Sequence, residues 1–180
     1  MNKEEYRECI QTEVYRNNKS FVIRFYNQHI NPVTNAVYLF RKMQYLRSCG
    51  GIMSKVRVEW LRRKLAVRYG ILASPDAVIG KGLRFIHPTS VVIGAHVKAG
   101  RNLSLYQNTT IGGARTGDVN KGNQPTIGDD VTLFANSLIL GKVNVGNNVI
   151  IGANSLLLQS VPDNSICVGS PAIIKEKEKN

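Results

Sequence analysis

The chain has 180 residues, 43% of them hydrophobic, and a formal net charge of +12. This length suits one or two small domains, and no apolar run reaches the ~18 residues that mark a membrane-spanning helix. The polar, acid-containing start Met1-Asn-Lys-Glu-Glu-Tyr6 matches neither a secretory signal nor a transit peptide. Cys9, Cys49 and Cys167 have no metal-ligand spacing and read as reduced thiols of a cytoplasmic protein.

Residues 1–70 form a basic unit, holding 14 of the 24 Lys/Arg but only 5 of the 12 Asp/Glu. Helices are expected over 3–16 and 33–48. Asn31-Pro32 supplies an N-cap and a proline at the first helical position, and Cys49-Gly50-Gly51 stops the second helix. A third helical pattern, Ile52 to Arg68, carries Met53, Val56, Trp60 and Leu61 on one side, with Arg57, Lys64 and Arg68 elsewhere. His29, just ahead of Asn31-Pro32, reads as a turn residue. The segment is expected to be a helical cap that mediates oligomer contacts and keeps its arginines, Arg41 among them, in solvent. A second reading rests its basic, aromatic-edged surface on an anionic membrane, which would make the protein peripheral at the inner face. No nucleic-acid-binding motif accompanies the charge, so no nucleic acid partner is expected.

Past Gly70 the pattern changes to a period of six. Ala73, Ile79 and Phe85 form one in-phase set; Ile93, Ala99, Leu105 and Ile111 form a second; Ile127, Leu133, Ile139, Val145, Ile151 and Leu157 form a third. Four residues after each member of the third set stands Val131, Ser137, Val143, Val149, Ser155 or Val161. A hexapeptide period predicts a parallel β-helix, in which no repeat buries its apolar side alone and each coil covers the next. The phase breaks twice, between Phe85 and Ile93 and between Ile111 and Ile127. The second break holds a Gly- and Asn-rich stretch, 113–125, that reads as a loop thrown out of the coil. Interruptions of a repeat array collect on its working face, so the chemistry is sought there.

The first break contains His87, in Gly82-Leu-Arg-Phe-Ile-His87-Pro88, and the second follows Gln107-Asn-Thr-Thr-Ile-Gly-Gly113. With Ile79-Gly-Lys-Gly82, Ile151-Gly-Ala-Asn-Ser155, Val161-Pro162 and Gly169-Ser-Pro-Ala172, these segments resemble the serine acetyltransferase branch of the hexapeptide-repeat acyltransferases. The resemblance runs from about residue 71 to 174. It implies a left-handed parallel β-helix over 71–174 with loop 113–125, behind the 1–70 cap and ahead of a charged tail, 175–180. It also implies a homotrimer using acetyl-CoA; the three histidines, His29, His87 and His96, are too scattered in segment and spacing to suggest a metal. His87 would be the general base, since a neutral imidazole accepts a proton near pH 7. Backbone amides of Gly112 and Gly113 would stabilise the oxyanion. Ala135 and Ala153 would hold the pantetheine arm of acetyl-CoA, with Lys175 near the nucleotide phosphates in place of an arginine that the family has at Ile173. His96 reads as a solvent-facing residue of a regular coil.

The acceptor side departs from that family. Two aspartates of the family align with Ile86 and Leu72, and its loop Arg-His pair aligns with Asn123-Gln124. Loss of charges that would pair a buried ammonium, at a cost of several kcal/mol, leads to a different expected acceptor. That acceptor is a hydroxyl of a saccharide, in a surface polysaccharide, a capsule or a lipid-linked glycan. Arg84, Arg115, Asp118, Lys121, Asn123 and Gln124 are its candidate contacts. Serine O-acetylation is the alternative enzyme, and a membrane-docking or assembly scaffold the non-enzymatic one.

Overall fold

A computed structural model describes residues 1–177. The cap opens with α1 (Lys3–Cys9), fixed by a reciprocal box in which Asn2 and Glu5 each accept the other's backbone N–H at 2.9 Å. The chain continues through a π-helical turn, Ile10–Val14, then α2 (Phe21–His29), α3 (Pro32–Cys49) and α4 (Ile52–Tyr69). Asn31 caps α3 as its sequence predicts, accepting Val33 N–H at 3.0 Å.

Three features of the cap differ from expectation. Helix α2 was not predicted: its apolar Phe21, Val22 and Phe25 face solvent and only Asn27 is buried, so it has no buried stripe for a 3.6-residue period to reveal. His29 consequently ends a helix rather than sitting in a turn. In α4 the core side is Val58, Leu61, Leu65 and Tyr69, while Met53, Val56 and Trp60 lie exposed. Leu61 was grouped with the wrong neighbours.

Arg41 is the third departure, because it is fully buried. Its Nε and Nη2 donate to the Glu13 carboxylate at 2.8 and 2.7 Å, and its remaining donors reach Gln44 Oε1, Ile79 O and Gly80 O. Glu13 in turn accepts the N–H of Gly82 and Leu83. Gln44 closes the set by donating to Ala77 O at 2.8 Å. A buried ion pair is tolerated when its remaining hydrogen-bonding groups are satisfied, and here they are satisfied by the backbone of the first coil. The pair joins cap to coil.

From Leu72 the chain winds as a left-handed parallel β-helix of triangular section. One face stacks Leu72–Ala73, Val92–Ile93, Thr110–Gly112, Leu138–Leu140 and Leu156–Leu157; a second stacks Val78–Ile79, Lys98–Ala99, Thr126–Ile127 and Asn144–Val145. The third stacks Arg84–Phe85, Ser104–Leu105, Thr132–Leu133, Ile150–Ile151 and Ser165–Val168, and Ile173–Glu176 adds to its edge antiparallel. Every hexad position from Ala73 to Leu157 is buried. A regular turn pairs residues 18 apart, as in Thr132 with Ile150. The two breaks in the period are visible as longer registers. Leu72 pairs with Val92, with two extra residues in the corner that carries His87, and Thr110 pairs with Leu138 across loop 113–125. The final strand takes in Lys175 and Glu176 of the expected tail; residues 178–180 of that tail lie outside the described residues.

Candidate active site

The corner between the third and first faces holds three of the residues singled out from sequence, His87, Ala135 and Ala153. Arg84 and Phe85 pair with Ser104 and Leu105, and Ile86 N–H bonds Leu105 O at 2.8 Å. Continuing that register places Ile86 over Tyr106; the two extra residues follow, and because Asn108 N–H bonds Thr89 O, Thr89 stands over Gln107. Further along the same corner, Phe134 and Ala135 follow Thr132–Leu133, and Gly152 and Ala153 follow Ile150–Ile151. Thr89, Gln107, Ala135 and Ala153 therefore form one column, with His87 two residues ahead of it in the first corner and adjacent coils about 4.8 Å apart along the axis.

The His87 ring is exposed and meets the Tyr106 ring edge-on, centroids 5.6 Å apart; Tyr106 stacks on Phe134 at 4.8 Å. The loop behind the ring is pinned by backbone bonds from Thr89 N–H to His87 O at 2.7 Å and from Asn108 N–H to Thr89 O at 3.1 Å. An amide ladder runs beside the column, Asn108 Nδ2 to Asn136 Oδ1 at 2.8 Å and Asn136 Nδ2 to Asn154 Oδ1 at 3.0 Å. All three asparagines sit at φ between 57 and 60°, the left-handed region that asparagine tolerates better than most residues.

Main-chain bonding leaves amide donors free on this corner. Asn136 N–H and Asn154 N–H bond the carbonyls of Gln107 and Ala135. Among the described residues, the N–H groups of Ala135 and Ala153 donate to no protein acceptor. Two outward amide donors one coil apart on small side chains suit an extended ligand bearing amide carbonyls. Gly169-Ser-Pro-Ala172 closes the column at its far end, with Leu156 N–H bonding Gly169 O and Ala172 N–H bonding Leu156 O. Lys175 lies just beyond, exposed, opposite Ile166.

The remaining candidates fall elsewhere. Gly112 and Gly113 end the first face and lead into the loop, one corner away from His87. Gly113 has a packing reason for lacking a side chain: a Cβ there would stand 2.7 Å from Asp118 Cβ and 3.0 Å from Gln124 Nε2. Asp118 organises the loop by accepting Ala114 N–H, Arg115 N–H and Asn123 Nδ2 at 2.9, 2.7 and 3.1 Å. The bond from Asn123, followed by those from the two amides, holds its carboxyl below the ordinary carboxylate range. Arg115 and Lys121 are exposed, and His96 is a solvent-facing corner residue. Arg84 stands on the third face, its Nε donating to Ser104 Oγ at 3.1 Å.

Gln107 stands in the Gln107–Gly113 segment, and no sequence pattern gives its side chain a role. Its Oε1, with Oε1 and Nε2 of Gln124, is buried with no hydrogen-bond partner among the described residues. An unpaired buried polar group costs about 1–3 kcal/mol, so these amides mark polar positions that packing alone does not account for. Among the described residues no group of three or more His, Cys, Asp or Glu is placed to hold a metal, and no helix is long and apolar enough to cross a membrane.

With this geometry in view, the chain can be set against known proteins. Residues 124–159 match the bacterial transferase hexapeptide (six repeats) family. A serine acetyltransferase of Staphylococcus epidermidis is 45% identical over 109 residues, covering 61% of this chain and 50% of the relative. The chain thus spans about half the length of the curated relatives it matches. The solved serine acetyltransferase of Neisseria gonorrhoeae in complex with serine superposes with a TM-score of 0.79 at 26% identity, covering 96% of this chain and 70% of that one. A serine acetyltransferase in complex with CoA gives 0.76 at 25% identity, covering 96% and 71%.

These likenesses overturn the expected saccharide acceptor and the assignment to polysaccharide O-acetyltransferases: the similar proteins are serine acetyltransferases. Exclusion of serine required a buried ammonium, but Leu72 is 57% exposed, Ile86 is only half-buried and His87 is open. An ammonium that stays hydrated needs no buried carboxylate beside it.

Proposed function

We propose that this chain is an acetyl-CoA-dependent serine O-acetyltransferase, working in the cytoplasm with His87 as general base. The observation that carries the reading is the likeness to serine acetyltransferases across cap and coil together, 96% of the chain against a serine-bound relative. The Ala135 and Ala153 amides, without protein acceptors on the same corner as His87 and two and three coils along from it, support it locally.

In this reading His87 takes the proton from the serine hydroxyl as the oxygen attacks the thioester carbonyl of acetyl-CoA. The C–S bond then breaks, and the sulfur leaves with the proton that His87 gives back. Tyr106 limits the ring to one approach by its edge contact. The Ala135 and Ala153 amides hold the pantetheine arm, and Lys175 lies on the path toward the phosphates. The oxyanion role of Gly112 and Gly113, and the contact roles of Arg115, Asp118, Lys121, Asn123 and Gln124 at the loop, are part of the same proposal.

The test is incubation with acetyl-CoA and L-serine, following free thiol and O-acetylserine by mass spectrometry. Stoichiometric appearance of both supports the assignment. No thiol release above the rate without serine overturns it.

A further inference from the structure

A groove of about 880 Å³ opens between the cap and the third face, outside the column just described. It lies in the upper part of the ~300–1,000 Å³ range of small-molecule sites and exceeds what a free amino acid fills. Its floor is apolar, from Val33, Val37, Leu83 and Ile86. Three cations line it: Arg16, Lys81 and Arg84.

The charges around this groove are unequally committed. Glu13, at its back, is held by Arg41 and two backbone amides. Lys81 pairs with Glu8, and Asp130 accepts the Asn102 amide. Arg16 and Arg84 have no carboxylate within 4 Å among the described residues. Arg84 is steadied through Nε on Ser104, which leaves both terminal nitrogens unused. Arg16 sits at φ 52°, beside Asn17 at 56°, a backbone region unfavourable to a long L side chain. A guanidinium presents a planar fork that matches carboxylate and phosphate oxygens.

We propose that this groove binds a small anionic metabolite, bearing a phosphate or carboxylate group and larger than serine, through Arg16 and Arg84. Its apolar part rests on Val33 and Ile86, with Val37 and Leu83 buried beneath them. Ile86 directly precedes His87, so the ligand sits against the base of the catalytic corner without occupying it.

Isothermal titration of the full chain at 150 mM salt, with pyrophosphate and separately with citrate as probes, tests the site. One probe per chain is expected to bind, and the double variant Arg16→Gln/Arg84→Gln to weaken it at least tenfold. Arg57→Gln/Arg63→Gln, which removes the same charge from the solvent side of α4, should leave binding unchanged. Binding of pyrophosphate alone assigns phosphate, and of citrate alone carboxylate. The proposal is overturned if neither probe binds, or if the groove variant binds as wild type does. Equal losses in both double variants, which mean diffuse attraction to a basic protein, also overturn it. So does displacement of the probe by acetyl-CoA, which would move the anion to the donor corner. Whether serine is acetylated has no bearing on these readouts.

Discussion

A single imidazole concentrates the proposed chemistry. Replacing His87 with alanine removes a positioned base, and such bases contribute about 10²–10⁴-fold. We expect kcat/KM with serine to fall in that range while the melting temperature stays put, because the ring is exposed and meets Tyr106 edge-on. An unaltered rate would remove His87 from the mechanism. The cysteines separate as sharply by environment. Burial pushes the thiols of Cys9 and Cys167 up to about 11, whereas Cys49 is exposed. A native protein treated with an aromatic disulfide reagent at pH 8 should therefore release one equivalent per chain promptly, and three only after denaturation. Three prompt equivalents would contradict the buried placements. At this scale the sequence was a partial guide. His87 was readable because it stands where the period slips, but the burial of Arg41 was not. Its partner Glu13 is 28 positions away and its other acceptors are backbone carbonyls, which no local pattern records.

Among elements, the cap depends on that ion pair. Glu13→Gln leaves a guanidinium buried with one charge uncompensated, and breaking such a pair typically costs about 3–5 kcal/mol. Urea unfolding should register a loss of that size; a change under 1 kcal/mol would mean that the pair relaxes to solvent. Loop 113–125 has a smaller organiser in Asp118. Its charged form is the hydrogen-bonded one, so loop order is complete above the ordinary aspartate value of about 3.9. Order is lost as pH falls through the lowered folded value. The amide proton shifts of Ala114 and Arg115 should titrate with a midpoint below that of an unperturbed aspartate, and a midpoint above it would refute the bonding. The loop was legible as a gap between Ile111 and Ile127. Its internal bonds were not, because they join polar side chains to nearby amides in a stretch without periodicity. Helix α2 escaped for the opposite reason, being apolar on a face that nothing covers.

For the molecule as a whole, the hexad is both the pattern seen in sequence and the force that assembles the coil. Leu133 is wholly buried in the stack between Leu105 and Ile151, so Leu133→Ala should cost about 2–5 kcal/mol by denaturant unfolding. A loss below 1 kcal/mol would show that neighbouring coils collapse into the gap. The same regularity made the scaffold readable while leaving the acceptor open. Inward residues repeat and specify the fold, whereas outward residues such as Ile86 and Leu72 carry no period, and their exposure cannot be read from their identity. Ile86 and Leu72 were misjudged on that account.

The strand Ile173–Glu176 runs antiparallel to its one neighbour, Ser165–Val168, and so against every other strand of that face. A parallel stack has no intrinsic length, since each coil presents the next with a ready row of unpaired N–H and C=O groups. By reversing direction on Ser165–Val168, the last strand offers an incoming coil the wrong polarity, while Arg41 and Gln44 already engage carbonyls of the first coil. The third face is thereby finished at its open edge, and the chain is held to a countable number of turns rather than left as a seed for end-to-end fibres.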